Sequence, residues 1–212
     1  GAKKTSFGLL AFAAFTAFCA VLFAGLGIWQ VERLAWKNSL ISAIETRAHA
    51  EPLNLNTADW SGIDPEAVEY QRVLVNGSLL PVDVLTQAVT AEGPGFWVMT
   101  PLRLPDGRTV LVNRGFAPKD AAVRLDAETP ATIKGLLRVT EPDGGFLRAN
   151  DPKAGRWYSR DVSEIAAANG NGQVAPFFID ADASIEPYPI GGLTVLSFLN
   201  NHLVYALTWF GL

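Results

Sequence analysis

Near the end of the chain, Asn200, Asn201 and His202 form a polar knot inside an otherwise apolar stretch running from Leu193 to Leu212. If the residues from His202 onward are helical, Tyr205 and Trp209 follow it at i+3 and i+7 and share its face. A neutral imidazole in that place can satisfy orphan amides of a first helical turn or rest in a headgroup layer. A second aromatic and cationic group stands near the other end of the chain. Trp29, Arg33, Trp36 and Leu40 recur at i, i+4, i+7 and i+11, a helical stripe that serves as an aromatic membrane anchor or as a face touching a ligand or partner. The usual catalytic signatures are missing. There is no Gly-rich phosphate loop, nucleophile elbow, HExxH or Cys/His cluster. Asp143, Asp151, Asp161, Asp180 and Asp182 are scattered, as carboxylates in turns and caps are, and form no assignable catalytic pair.

Composition narrows the classes further. The 212 residues carry a net charge of -4, with one cysteine and two histidines. No basic stripe is present to neutralise phosphates, so nucleic acid is excluded as a partner. Cys19 alone makes neither a disulfide framework nor a cysteine zinc site, and it argues against copper delivery by this chain. Lying within an apolar run, it reads as a small core filler.

The elements that must position these residues begin with Phe7 to Val31, which contains no charged residue and is long enough to cross a bilayer. Trp29-Gln30-Val31-Glu32-Arg33 follows it rather than a small-residue cleavage site, so a retained anchor is expected in place of a signal peptide. Lys3 and Lys4 put the N-terminus in the cytoplasm, although Arg33 and Lys37 weaken that bias. Helical spacing continues through Leu34, Ile41 and Ile44, and Pro52 stops it. At the other end, one continuous membrane helix would carry three polar groups in hydrocarbon. The competing reading makes Leu193 to Leu199 a last strand, with Asn200 or Asn201 capping a new helix, and it is preferred because it buries no orphan polar group. That helix has about a dozen residues before the sequence ends, against roughly 20 for a crossing, so a truncated second span is expected.

Between the apolar ends the period is that of strands. Gln71 to Val75, Val82 to Thr86, Phe96 to Thr100, Ile133 to Val139 and Pro176 to Asp182 are short, rich in β-branched or aromatic residues, and bounded by turn residues. Leu102 to Asn113 predicts a hairpin turning on Asp106-Gly107. Arg114, in the turn after it, is placed to hold backbone carbonyls or a carboxylate. Asp161 to Ala168 predicts a short helix, capped by Asp161 or Ser163 and stopped at Gly170. Glu141 to Asn150, with Phe146 embedded, reads as a surface turn or a docking loop. The expected fold is an α+β membrane protein. Two transmembrane helices flank a β-rich extracytoplasmic domain, an antiparallel barrel or sandwich-like arrangement. Its expected parts are an anchor over 1–31, a juxtamembrane amphipathic helix over 32–50, the β-rich domain over 51–199 and the start of the second span over 200–212.

Four stretches, in order, resemble the Surfeit-locus family of cytochrome c oxidase assembly factors. They are Gly27-Ile-Trp29-Gln30-Val-Glu-Arg33-Leu-Ala-Trp36-Lys37; Val112-Asn113-Arg114-Gly115-Phe116-Ala117-Pro118; Pro189-Ile190-Gly191-Gly192; and Asn201-His202-Leu203 with Tyr205 and Thr208-Trp209-Phe210-Gly211. The resemblance covers nearly the whole chain. It implies a non-enzymatic assembly chaperone that binds haem a and assists its insertion into the oxidase core subunit. The implied partners are that subunit, the haem a synthesis enzyme and the lipid membrane. On this reading His202 is the iron ligand, with Trp209, Tyr205, Trp29 and Arg33 as further haem-binding residues; if the two spans are antiparallel neighbours, Trp29, Gln30 and Arg33 face the neighbourhood of His202. Haem a has an apolar tail and macrocycle with two propionates, which suits a site at a membrane surface where cations meet the propionates and an imidazole meets the iron. The alternative is a structural or accessory subunit that stabilises the core without binding haem. A haem-modifying enzyme ranks below both, since one histidine supplies at most half of a bis-His centre. The short N-terminus is unlike a mitochondrial transit peptide. A bacterial inner membrane with the main domain periplasmic is therefore expected, or the mitochondrial inner membrane in a eukaryote.

Overall fold

The computed structural model describes residues 2–143, 148–170, 172–183, 187–194 and 201–211, with side chains from Phe7 onward. It divides into two compact units, Gly1–Glu45 with Leu196–Leu212, and Thr46–Val195.

The first unit is helical. α1 spans Ala2–His49, 48 residues without a break, so the anchor and the juxtamembrane helix expected from sequence run on as one rod. Its length of about 70 Å is more than twice the thickness of a bilayer's hydrocarbon core. The helix ends three residues before Pro52, whose ring cannot continue the ladder. Phe7, Phe12, Phe15 and Phe18 are all more than 60% exposed. A row of bare aromatic rings is tolerable in lipid and costly in water. Among the described residues α1 is the one helix long and apolar enough to cross a membrane. α3, His202–Gly211, has 10 residues and is about 15 Å long, too short to cross a bilayer by itself. The expected strand over 193–199 falls largely outside the described residues, and Leu193 and Thr194 are not in a strand; of the two expected caps Asn200 lies outside the described residues, while Asn201 directly precedes α3.

Among the described residues the second unit is a seven-stranded sheet with one α-helix on it. β1 (Leu53–Asn54), β2 (Arg72–Leu79), β3 (Val84–Thr90), β4 (Gly93–Arg103), β5 (Thr109–Pro118), β6 (Thr129–Val139) and β7 (Val174–Ala181) lie in the order β1-β2-β6-β7-β5-β4-β3. β2 also touches β4 through Ser78–Arg103 and Leu79–Leu102. The sheet is mixed, which departs from the antiparallel arrangement expected: β1 pairs parallel with β2, and β5 with β7. β7 enters the sheet between β5 and β6 only after α2, so it can run alongside β5. The Asp106-Gly107 hairpin forms as expected, with Gly107 at φ +89° and Leu104 N–H donating to Arg108 C=O at 2.8 Å. α2, Val162–Asn169, is capped by Asp161, which accepts from Glu164 N–H at 3.1 Å, and ends at Gly170 with φ +65°.

β7 is covered on both faces. Phe177 packs with Val73, Val75, Leu102, Val112 and Leu137 on one side. Phe178 packs with Met99, Leu111, Trp157, Val162 and Ile165 on the other. Successive side chains of a strand alternate in direction, so two adjacent phenylalanines can each be fully buried in a separate core. Each burial contributes about 1.5–3 kcal/mol.

Candidate functional site

In the helical unit, three pairs of residues seat α3 on α1. The His202 Nδ1 atom lies 2.7 Å from Gln30 Oε1. Phe210 lies over Gly27, where a methyl group would overlap its ring. Trp209 stacks on Phe23 with ring centroids 5.8 Å apart at 27°. The head of α3 meets Gln30 while its far end meets Phe23 and Gly27, earlier on α1, so the helices are antiparallel neighbours. Phe23, Gly27 and Gln30 stand at i, i+4 and i+7, one face of α1, and the absence of a side chain at Gly27 lets Phe210 approach the backbone. On α3 the inward residues are His202, Ala206 and Trp209, with Ala206 at 2% exposure. Asn201 opens the helix, its C=O accepting from Tyr205 N–H at 3.2 Å.

The residues singled out from sequence separate accordingly. His202 and Trp209 are together on the α1-facing side. Tyr205 is one position short of the inward Ala206 and is 54% exposed; Trp29, beside Gln30, is 53% exposed. The Arg33 guanidinium lies 4.2 Å over the ring of Trp36. Of the three α1 residues expected to face His202, Gln30 is the one in contact with it; Phe23, Gly27 and Phe210 were not assigned a role from sequence. Their signal was the i, i+4, i+7 spacing facing a matching stripe on α3, and it becomes readable once the helices are known to be antiparallel.

The sheet unit has a polar centre of a different kind. Asp180, the penultimate residue of β7 and 5% exposed, lies within the strand expected over Pro176 to Asp182 and is buried there, unlike the turn and cap carboxylates it was grouped with. Asn113 Nδ2 and Arg160 Nη1 donate to its Oδ1 at 2.8 and 3.2 Å; Arg138 Nη1 and Thr194 Oγ1 donate to its Oδ2 at 2.8 and 2.9 Å. Arg160 also forks onto Glu141, and Arg138 Nε reaches Glu69 at 3.2 Å. Burial alone would pull the Arg138 pKa down, but the charge of Asp180, with Tyr70 and Glu69, outweighs it and the net shift is upward. Burial pushes the neighbouring Tyr70 hydroxyl up. Asn113 Oδ1 accepts from Gly115 N–H at 3.1 Å, and Gly115 at φ +130° passes so close to Ile190 C=O that a methyl group would overlap it. Phe116 and Ile190 exchange both backbone hydrogen bonds, at 2.9 and 2.7 Å. Arg114 holds both kinds of partner expected of it, Val123 C=O at 2.9 Å and Asp83 at 3.4 Å. The cleft beside Asp180 measures 260 Å³, below the roughly 300–1,000 Å³ of small-molecule sites, and its charges are spent on one another.

The four motif stretches thus meet in two pairs, 27–37 with 201–211 in the helical unit and 112–118 with 189–192 in the sheet unit. A family model described as the SURF1 family matches residues 17–212, which takes in both pairs. The chain belongs to the SURF1 family. Surfeit locus protein 1 of Rattus norvegicus is 35% identical over 215 residues, covering 89% of this chain and 67% of that protein. Surfeit locus protein 1 of Homo sapiens is 34% identical over 213 residues, 89% of this chain and 69% of that protein. A SURF1-like protein of Monosiga brevicollis is 34% identical over 209 residues, 89% and 78% of the two chains. For a SURF1-family chain the pairing separates two jobs. The sheet-unit motifs are explained by backbone approach and charge satisfaction, whereas the helical pair keeps an imidazole whose bond to Gln30 uses one of its two ring nitrogens.

Proposed function

We propose that this chain is an assembly chaperone of cytochrome c oxidase that holds haem a at the His202 end of its helix pair and assists its transfer into the core subunit. Membership of the SURF1 family implies the broader role in oxidase assembly. The observation that carries the finer reading is His202 itself: an imidazole at the head of an apolar helix, tied to α1 through Nδ1. Neutral imidazole is a suitable axial donor for haem iron. The surroundings fit such a group. Trp209 and Phe23 give a stacked aromatic wall, the exposed ring of Tyr205 and the side chain of Leu203 give apolar surface, and Arg33 offers a guanidinium suited to a propionate. Haem supplies the iron and the redox chemistry; the residues of this chain bind and orient it and keep one apolar edge toward lipid.

With this goes a topology. Phe7 to Val31 is read as a retained anchor in a bacterial inner membrane (or a mitochondrial one in a eukaryote), with both chain ends cytoplasmic. The sheet unit, a small barrel-like sheet through the β2–β4 contact, is then periplasmic, and α3 begins a second crossing. The enzyme that makes haem a and the core subunit are the partners on either side of the transfer. A second reading has one observation in its favour, because the His202–Gln30 bond would also satisfy the imidazole of a structural subunit that binds no haem. Absorption spectroscopy of the protein purified from cells that make haem a separates the two. The wild type is expected to carry haem, and His202→Ala to lose it with expression and membrane insertion intact. An unaltered Soret band in His202→Ala, or a wild type without haem, would sink the proposal.

A further inference from the structure

We propose that Gln30 is a positioning residue for His202: its side-chain carbonyl keeps the proton on Nδ1 and thereby makes Nε2 the donor atom of the imidazole. The purpose of this arrangement rests on the haem reading above; its geometry does not. The two side chains meet at 2.7 Å, and Gln30 is 9% exposed, so its amide is withdrawn from competing solvent. An amide oxygen can only accept. A neutral imidazole carries one N–H, so an oxygen at Nδ1 requires the hydrogen there and leaves Nε2 with an in-plane lone pair. Turned over, the amide would donate to Nδ1, move the ring proton to Nε2 and remove the lone pair from the outward nitrogen. The orientation of one glutamine thus decides whether His202 can ligate.

The choice of glutamine also has chemical content. Metal-bound histidines commonly donate their second nitrogen to a carboxylate or carbonyl, and a carboxylate makes the ring a stronger ligand. An amide carbonyl fixes the tautomer without adding charge to an apolar helix pair and leaves the ring a moderate donor. That suits a carrier that must release what it holds. Gln30 lies beside Gly27, whose bare backbone admits Phe210, so the approach of the helices that brings Nδ1 to Oε1 is set by the same face of α1.

The test uses the full-length chain in lipid nanodiscs, with histidine labelled by nitrogen-15. Without haem, the His202 nitrogen shifts of the wild type are expected to report the Nδ1–H tautomer, and Gln30→Leu is expected to move them toward Nε2–H. With haem a added, Gln30→Leu should bind about 10–100-fold more weakly with His202 still the ligand, as loss of an outer partner of a metal ligand does. Gln30→Glu should bind at least as tightly as the wild type and show a lower midpoint potential. An Nε2–H tautomer in the wild type, or wild-type haem affinity and midpoint potential in both variants, would overturn the inference. The haem reading fails separately, through the His202→Ala spectrum, and in that event the nitrogen shifts alone decide the role of Gln30.

Discussion

Asp180 in the sheet unit and His202 in the helical unit are both polar groups with apolar neighbours, yet they are supported in opposite ways. Asp180 is charged and accepts four hydrogen bonds, two on each oxygen, from side chains on β5, on β6, before α2 and after β7. Both of its oxygens are taken, and the two arginines that serve it are occupied in turn by Glu141 and Glu69. His202 is seated by a bond at Nδ1. A network that consumes all its own capacity ties strands together and offers little to a ligand. A ring held by one of two nitrogens is fixed in place and keeps a donor atom.

Removing the charge at the centre of the sheet knot should have the largest effect. Asp180→Ala strands Arg138 and Arg160 without their shared acceptor, and breaking a buried pair from one side costs about 3–5 kcal/mol. Denaturant unfolding of the full chain in detergent should show that loss in the sheet transition. His202→Ala, measured the same way, should change it by less than about 0.5 kcal/mol, as substitutions away from such networks do. Equal losses in the two variants would erase the contrast between them.

Glycine offers a matched comparison one step smaller. Gly115→Ala places a methyl group against the Ile190 carbonyl at a backbone angle, φ +130°, that alanine rarely adopts. Backbone cannot move aside, so about 2–4 kcal/mol of sheet stability should be lost. Gly27→Ala meets the ring of Phe210, which can turn away. The expected cost is about 1–2 kcal/mol, confined to helix pairing. A crosslink between cysteines introduced at Phe23 and Trp209 would report it as slower formation, with the sheet transition unchanged. A lowered sheet transition in Gly27→Ala would show that the side-chain and backbone clashes are not separable in this way.

Much of this was readable in the sequence where a residue acts on its own neighbours. The Asp106-Gly107 turn, the Asp161 cap, the Gly170 stop and the end of α1 before Pro52 are local events, decided within a few residues. The parallel pairing of β5 with β7 was not readable, because strand periodicity says which face is buried and nothing about which strand lies alongside. The role of Asp180, though its strand was expected, went unread for the same reason. In sequence it is one more scattered carboxylate; its four donors lie 14 to 67 residues away. Within the site, His202 and Trp209 stood out by type. Gln30 was legible only as one of three residues facing His202, and which of them bonds the imidazole depends on the rotation of two helices about their axes.

The smallest expected effect lies at the surface of the sheet unit and bears on pH. Asp106 accepts from Arg108 N–H at 3.0 Å and from Arg108 Nε at 2.8 Å, and these bonds, the backbone one foremost, hold its carboxyl below the ordinary aspartate value. Asp59 and Asp151 are lowered in the same direction, chiefly by hydrogen bonds from Ser61 and Arg156. A group depressed on folding binds its proton more readily in the unfolded chain. Its contribution is therefore present in full above the unfolded aspartate pKa of about 3.9 and lost as pH falls through the lower folded value. Asp106→Asn removes that contribution, while the amide oxygen can still accept from Arg108 N–H. The variant should unfold slightly more easily than the wild type at pH 7, and the gap should close as both are taken below pH ~3. The helical unit supplies the control: Phe7 to Val31 and α3 carry no carboxylate, so acidification between pH ~5 and ~3 should leave the engineered Phe23–Trp209 crosslinking rate, corrected for thiol reactivity, unchanged. A gap between Asp106→Asn and the wild type that stayed constant from pH 7 to pH 3 would mean the carboxylate acts through packing, and the charge-based account of this turn would be wrong.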